Sequence, residues 1–360
     1  MERTGQATPP GERMGPAVAE CPAGVQNIFS VPVENAVGTN SLNNAISLIR
    51  FEGDRVSVGE VRRDYMKYVS GSDYWFVDGF GDARIGYTQR RGFVMFNMES
   101  GAFETYTVCA SPHELTFKAA VLDGAGITLV FDISSADVND YNWVLRTARL
   151  RGGTVDLLGE KALGKKRHFE NGPWTVGGGN VFAYDKTRKD LVCMDEGLRI
   201  ADHPLPALYR AKAESLGEIR EIAIHRSLPL AVLVTAGGED GSGPWLARWA
   251  HPDTAKRLVP LFPAEDDVPG SGRIEKASGF QFSPDGAWMV LRNEGQGREG
   301  PVFIAVPVKE SNDDLLGRAI VLGRGAIAGQ SPAATAWTRA PQSFVSCDGH
   351  GLFRWVLNEE

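Results

Sequence analysis

The sequence predicts an all-β fold made of repeated small antiparallel sheets, and three observations carry this prediction. A complete β-hairpin lies at Phe280–Glu294, pairs of strand-like runs recur along the chain, and helical periodicity is scarce. In the hairpin, Phe280 and Phe282 alternate with polar residues, as expected of a strand with one buried face. Ser283-Pro284-Asp285-Gly286 follows, and each of its residue types favours a tight turn. Short helical turns are expected only at Ala211–Arg220 and Asp313–Gly317.

Seven candidate hairpins indicate an internal repeat. Three of them are followed by a third strand-like run, at Trp245–Trp249, Val302–Val306 and Leu352–Val356. In the fourth to seventh hairpins the second run is more uniformly apolar than the first, which is typical of strands covered on both faces. The hairpins lie at Ala45–Val61, Ala83–Met98, Leu115–Phe131, Asn180–Met194, Glu221–Thr235, Phe280–Glu294 and Ala334–Cys347.

The Phe282–Val290 segment resembles the inner hairpin of a WD40-like or TolB-like β-propeller blade, with a weaker copy at Ala336–Val345. The Gly-His…Trp-Asp signature of the WD40 family itself is absent. The resemblance implies a seven-bladed β-propeller, with six or eight blades tolerated, whose ring is closed by N- and C-terminal strands. Asn27–Val33 would supply the outer strand of the last blade, since closure removes an exposed sheet edge. A two-sheet β-sandwich with additional strands is the alternative.

Composition narrows the class of protein. The chain has 360 residues and a net charge of −7, which argues against a nucleic-acid partner. No apolar stretch is long enough to span a membrane, so an integral membrane protein is not expected. Residues 1–24 are rich in Gly and Pro and predict a disordered segment, followed by a single propeller domain at 25–360. That segment has no apolar signal core, which predicts a cytoplasmic protein, or a periplasmic or extracellular one if the N-terminus is processed.

Motifs for catalysis or for a cofactor are missing. No GxSxG occurs, and the glycine-rich Trp174–Gly179 precedes a strand where a phosphate loop would precede a helix. The histidines and cysteines form no HExxH and no CxxC, so neither a metal site nor a cofactor is predicted. Cys193 is expected to be a small buried apolar residue. Ring closure would bring Cys21 and Cys347 together, which allows a disulfide bond.

Charged loops follow the second strand-like runs and are the strongest candidate binding feature. Similar loops occur at 98–101, 194–197, 238–241, 293–295 and 347–350. In a propeller they would share one face and form an anionic rim for a cationic partner. Asp-Gly and Glu-Gly are also ordinary turn chemistry, so solvated, inert loops are the competing interpretation. The predicted partner-binding residues are Asp195, Glu196, Glu239, Asp240, Arg292, Glu294, Arg298, Asp348 and His350.

We therefore predict a non-catalytic scaffold for protein–protein interaction, as a subunit of a larger complex. The alternative is a metal-dependent, lactonase-like hydrolase with its site at the channel mouth. A small-molecule ligand is compatible with either function.

Overall fold

The computed structural model describes most of the strands and the turns between many of them. Its described residues are 3–4, 25–31, 34–41, 46–53, 55–62, 74–76, 84–89, 92–97, 102–107, 114–123, 126–134, 143–151, 154–164, 172–238, 241–262, 277–293, 302–309, 319–324, 334–339, 343–348 and 351–357.

Short strands make up nearly all of the described secondary structure, as the alternating runs predict. In chain order they are β1 (Arg3–Thr4), β2 (Val25–Ser30), β3 (Ala36–Ser41), β4 (Ile46–Glu52), β5 (Arg55–Arg62), β6 (Tyr74–Phe76), β7 (Arg84–Gln89), β8 (Gly92–Asn97), β9 (Phe103–Thr107), β10 (Glu114–Asp123), β11 (Gly126–Ser134), β12 (Trp143–Arg151), β13 (Thr154–Gly164), β14 (Trp174–Gly177), β15 (Asn180–Asp185), β16 (Asp190–Asp195), β17 (Gly217–Ile224), β18 (Leu230–Gly238), β19 (Gly241–Arg248), β20 (Leu258–Pro260), β21 (Ala277–Phe282), β22 (Trp288–Asn293), β23 (Val302–Pro307), β24 (Ile320–Arg324), β25 (Ala334–Trp337), β26 (Ser343–Asp348) and β27 (Gly351–Val356).

Helices are few in the described part of the chain. They are α1 (Pro204–Arg210) and α2 (Ala213–Leu216), and a 3₁₀ turn spans Thr254–Lys256. The helical turn predicted at Ala211–Arg220 is therefore partly correct, because β17 begins at Gly217. The turn predicted at Asp313–Gly317 lies outside the described residues.

The strands of the described ranges form seven small sheets. Sheets 1 to 6 are β2-β3-β4-β5, β6-β7-β8-β9, β10-β11-β12-β13, β14-β15-β16, β17-β18-β19-β20 and β21-β22-β23-β24, and sheet 7 is β25-β26-β27-β1. Sheets 2 to 6 are antiparallel throughout, whereas in sheet 7 β1 runs parallel to β27, with Arg3 opposite Trp355. Sheet 4 has three described strands. Beside its last strand, β16, an isolated β-bridge joins Met194 to Ile200.

Four of the predicted strand assignments need correction. The segment at Asn27–Val33 does not complete the last sheet, since β2 pairs with β3 inside sheet 1. The predicted hairpin at Ala45 consists of the third and fourth strands of sheet 1. The predicted hairpins at Ala83 and Asn180 consist of the second and third strands of sheets 2 and 4. Their true first strands are the polar or very short β2, β6 and β14, which lack the clear apolar alternation used to find a first strand.

The chain divides into two compact units. The first unit comprises Met1–Ala23, Phe51–Ser57 and His203–Glu360, and the second comprises Gly24–Arg50 and Val58–Asp202. In the first unit, an apolar cluster that includes Leu230, Val232, Met289 and Ile304 joins sheets 5 and 6. A second cluster joins sheet 6 to sheet 7. In the second unit, a cluster joins sheets 3 and 4.

The predicted turn at Ser283–Gly286 is confirmed between β21 and β22. The Ser283 hydroxyl donates to Asp285 Oδ1 at 2.6 Å and accepts from the Trp288 N–H at 2.9 Å. Asp285 Oδ1 also accepts from the Ala287 N–H. Gly286 has φ +81°, a conformation that a residue with a Cβ adopts only with strain. The side chains of Ser283 and Asp285 thus accept hydrogen bonds from the backbone N–H groups of Trp288 and Ala287.

Candidate functional site

The candidate site lies in the first unit, at one end of sheets 5, 6 and 7. We call it the connection end, because there the second strand of each sheet passes to the third. The three connections run from Gly238 to Gly241, from Asn293 to Val302 and from Asp348 to Gly351. The opposite end, where the first strand turns into the second, is called the turn end.

Most predicted binding residues belong to these connections. Arg292 is the penultimate residue of β22, and Asp348 is the last residue of β26. The other predicted residues of the three connections lie outside the described residues: Glu239, Asp240, Glu294, Arg298 and His350.

Asp195 and Glu196 follow the third strand of sheet 4, so their predicted alignment with the loops after second strands is wrong. Successive connections of an antiparallel sheet alternate between its ends. Asp195 and Glu196 therefore correspond to the opposite end of a sheet from the three connections of the first unit. The loop at 98–101 likewise follows a third strand, β8.

Both carboxylates are engaged within the second unit. Asp195 Oδ1 accepts from the Arg199 N–H, and its Oδ2 accepts from the Arg199 side chain, each at 2.9 Å. The backbone N–H of Arg199 is the main cause that lowers the pKa of Asp195. The Glu196 carboxylate pairs with Arg149 of sheet 3, and the Glu196 carbonyl accepts from the Thr147 hydroxyl. Both residues have structural partners, which favours the turn-chemistry interpretation for this loop.

Glu221 of β17 was not predicted and joins sheet 5 to sheet 6. Its carboxylate oxygens accept from the Gly279 N–H at 3.0 Å and from the Phe280 N–H at 2.7 Å. These N–H groups are available because β21 shifts its register between Ser278 and Gln281, with Gly279 at φ +65°. Burial raises the pKa of Glu221, while the two N–H groups and the charge of Arg292 oppose that rise. No sequence signal marks Glu221, because it occupies an ordinary polar position of an alternating strand.

A second contact joins sheet 6 to sheet 7, near the turn end of β21. The Gln281 amide donates to the Thr335 hydroxyl at 3.0 Å. The first strands of sheets 5, 6 and 7 are thus fastened to one another by Glu221 and Gln281. Register shifts of this kind in β17 and β21 occur next to binding sites in many proteins.

Asn293 ends β22 at the start of a connection and is 1% exposed. Neither its Nδ2 nor its Oδ1 makes a hydrogen bond in the described structure. A buried amide without partners costs free energy. Asn293 and the neighbouring Arg292 thus place an amide and a guanidinium at this end of sheet 6.

Within the described ranges, no group of three His, Cys, Asp or Glu side chains could hold a metal ion. No described helix is both long and apolar enough to cross a membrane. Cys193 is free and buried, as predicted, and burial raises the pKa of its thiol to about 12. Cys347 is disulfide-bonded. Its predicted partner Cys21 lies outside the described residues, so that pairing stays a prediction.

Comparison with known proteins decides the fold. No family model and no curated protein sequence matches this chain. Solved structures do match: a crystal structure of a mitotic checkpoint complex aligns over 100% of this chain and 98% of that chain, with a TM-score of 0.52 and 10% identity. The fold is a β-propeller.

Other propellers align with this β-propeller more weakly. The WD40 β-propeller domain of Doa1 covers 94% of this chain and 95% of its own, with a TM-score of 0.48 and 11% identity. The computationally designed Ika8 protein aligns over 95% of this chain with a TM-score of 0.44. The match to the mitotic checkpoint complex confirms the predicted propeller fold, whereas the TolB-like resemblance, the blade count and the ring closure stay predictions.

Proposed function

We propose that this β-propeller is a non-catalytic scaffold, a subunit of a larger complex, and that a protein partner docks on the connection end of sheets 5, 6 and 7. One observation carries the proposal: Glu221 and Gln281 tie the first strands of sheets 5, 6 and 7 to one another, and the connections that hold the predicted binding residues extend from these same sheets. Strand ends held by such a framework lose little conformational entropy when they bind. WD40-like propellers commonly serve as interaction scaffolds, which supports the same class of function.

The charges of the connections specify the partner. Glu239, Asp240, Glu294 and Asp348 are acidic, and Arg292 and Arg298 lie beside them. A partner surface with mainly basic residues and a few acidic ones complements this set. Such complementarity acts mostly on the association rate and on specificity, so binding is expected to weaken as salt concentration rises.

The proposal is tested by capture from native cells, comparing two variants of equal charge change. The connection variant carries Glu239→Gln, Asp240→Asn, Glu294→Gln and Asp348→Asn. The control variant carries Glu52→Gln, Asp156→Asn, Asp202→Asn and Glu214→Gln, four exposed acidic residues in other parts of the chain. We expect a stoichiometric partner with the wild type and the control variant, and its loss with the connection variant.

Two results would contradict the proposal. A partner retained equally by both variants would place the interface away from the connection end. The absence of any stoichiometric partner, with a folded wild-type protein, would remove the scaffold function itself.

A further inference from the structure

At the turn end, two successive first turns of the first unit are joined by a buried histidine. His225 follows β17 and is 4% exposed. Its Nε2 lies 3.0 Å from the carbonyl oxygen of Gly286, in the turn between β21 and β22. The ring also packs edge-on against Phe282, with 5.0 Å between ring centroids. A side chain of sheet 5 is thus placed directly on the turn of sheet 6.

The hydrogen bonds of the ring define its protonation state. Nδ1 accepts from the Ser227 N–H at 3.2 Å and from the Leu228 N–H at 2.9 Å. An acceptor carries no proton, so the neutral ring holds its proton on Nε2 and donates it to Gly286. A second proton could enter only at Nδ1, where it would face two N–H donors. Protonation of His225 is therefore incompatible with this arrangement.

We propose that His225 is an acid-sensitive latch between sheets 5 and 6, closed while the ring is neutral and released when the ring takes up a proton. The latch would make the turn end respond to mildly acidic conditions, while the contact of Glu221 with Gly279 and Phe280 remains in place. This regulation is independent of whether a partner docks on the connection end.

Charged or titratable groups lie on three elements around His225: its own turn, the facing turn, and the loop after β19. In its own turn, the Arg226 guanidinium donates to the Pro284 carbonyl at 2.9 Å and adds a second contact between the turns. In the facing turn, the charge of Asp285 favours protonation. The loop after β19 contacts the same turn through the Trp249 N–H and the Pro229 carbonyl.

That loop carries His251 and Asp253. The Asp253 N–H donates to His251 Nδ1 at 3.0 Å. Arg226 and Asp285 are thus the charged groups of the two joined turns, and His251 and Asp253 belong to the loop that contacts the turn of His225.

Burial dominates over these charges and lowers the pKa of His225 below its usual value. A group whose pKa is lowered on folding stabilises the folded state above its unfolded pKa of about 6.5. That contribution is lost as the pH falls through the folded pKa. The latch is therefore closed at pH 7 and opens on the acidic side of pH 6.5.

The test is hydrogen exchange of the full chain at pH 7 and pH 5, corrected for the intrinsic exchange rates. In the wild type, the protection of the Ser227 and Leu228 amides and of residues 283–288 is expected to fall at pH 5. Each unit of pKa difference between the closed and open states corresponds to about a tenfold loss of protection. His225→Gln keeps an amide donor for Gly286 but does not titrate, so its protection should be equal at the two pH values. His251→Gln should respond like the wild type.

A second measurement needs no variant at position 225. In the wild type, nitrogen NMR of the ring is expected to show the neutral Nε2–H form at pH 7, with proton uptake coinciding with the loss of protection. A ring already charged at pH 7 would overturn the proposal. So would equal protection of the wild type at both pH values, or the same loss in wild type and His225→Gln.

Discussion

The junction between sheets 5 and 6 and the junction between sheets 3 and 4 both surround an apolar cluster, but their polar contacts differ in kind. Between sheets 5 and 6, Glu221 and His225 bind backbone groups of the neighbouring sheet. Between sheets 3 and 4, Glu196 pairs with the charged side chain of Arg149.

The difference shows how each junction responds to its surroundings. An ion pair between partly exposed side chains is screened by salt and contributes little free energy. A titratable side chain bound to buried N–H or C=O groups is barely screened, but its contribution changes with pH. The stability of the junction between sheets 5 and 6 is therefore expected to depend on pH, and that of the junction between sheets 3 and 4 on salt concentration.

The largest expected effect is at the latch, through Gly286→Ala. A Cβ at this position would lie 2.5 Å from His225 Nε2, and the residue has φ +81°. Backbone strain and the clash together should lower the free energy of unfolding by about 3 kcal/mol, as measured by urea denaturation. The matched control is Gly179→Ala, which has φ +73° and nothing within 4 Å of its Cβ. If both substitutions lower the free energy of unfolding equally, the close approach of His225 to position 286 contributes nothing to the loss.

Removal of the carboxylate contact should have the next largest effect. Glu221→Ala leaves the Gly279 and Phe280 N–H groups without their acceptor, and we expect a loss of about 2 kcal/mol in the free energy of unfolding. The control Glu218→Ala changes an exposed glutamate of the same strand and should be nearly neutral. Equal losses would mean that Glu221 is not a contact between sheets.

The pH dependence of Glu221 has the opposite sign to that of His225. Because burial raises its pKa, the contribution of Glu221 is complete below its unfolded pKa and is lost as the pH rises through the folded pKa. Glu221→Gln removes this titration. Compared with the wild type, the variant should therefore gain in relative stability between pH 4.5 and pH 7, which urea midpoints at both pH values would measure. A constant difference would contradict the raised pKa.

The smallest effect is expected at the other junction. Glu196→Gln removes the charge that pairs with Arg149, and we expect a loss of about 0.5 to 1 kcal/mol at low salt that decreases in 1 M NaCl. Glu160→Gln changes the pair with Arg146, in which Glu160 is 57% exposed, and should cost less. If Glu196→Gln lowers the free energy of unfolding equally at low and high salt, the two junctions do not differ in their response to salt.

Local sequence signals explain what could be predicted. The Ser283–Gly286 turn was found because each residue satisfies the backbone within its own turn. The first strands β2, β6 and β14 were missed because short or polar strands lack a clear alternation, and this error moved Asp195 and Glu196 to the wrong end of a sheet. Glu221, Gln281 and His225 act on residues about 60 positions away or on neighbouring sheets, and no local pattern encodes such contacts.

The central claim is that a partner binds the connection end of sheets 5, 6 and 7. Its most direct test is hydrogen exchange of the captured complex compared with the free protein. We predict new protection at residues 217–222, 277–279, 291–293 and 347–352, with residues 225–230 and 283–288 unchanged. Protection confined to residues 225–230 and 283–288 would place the partner on the turn end and contradict the account.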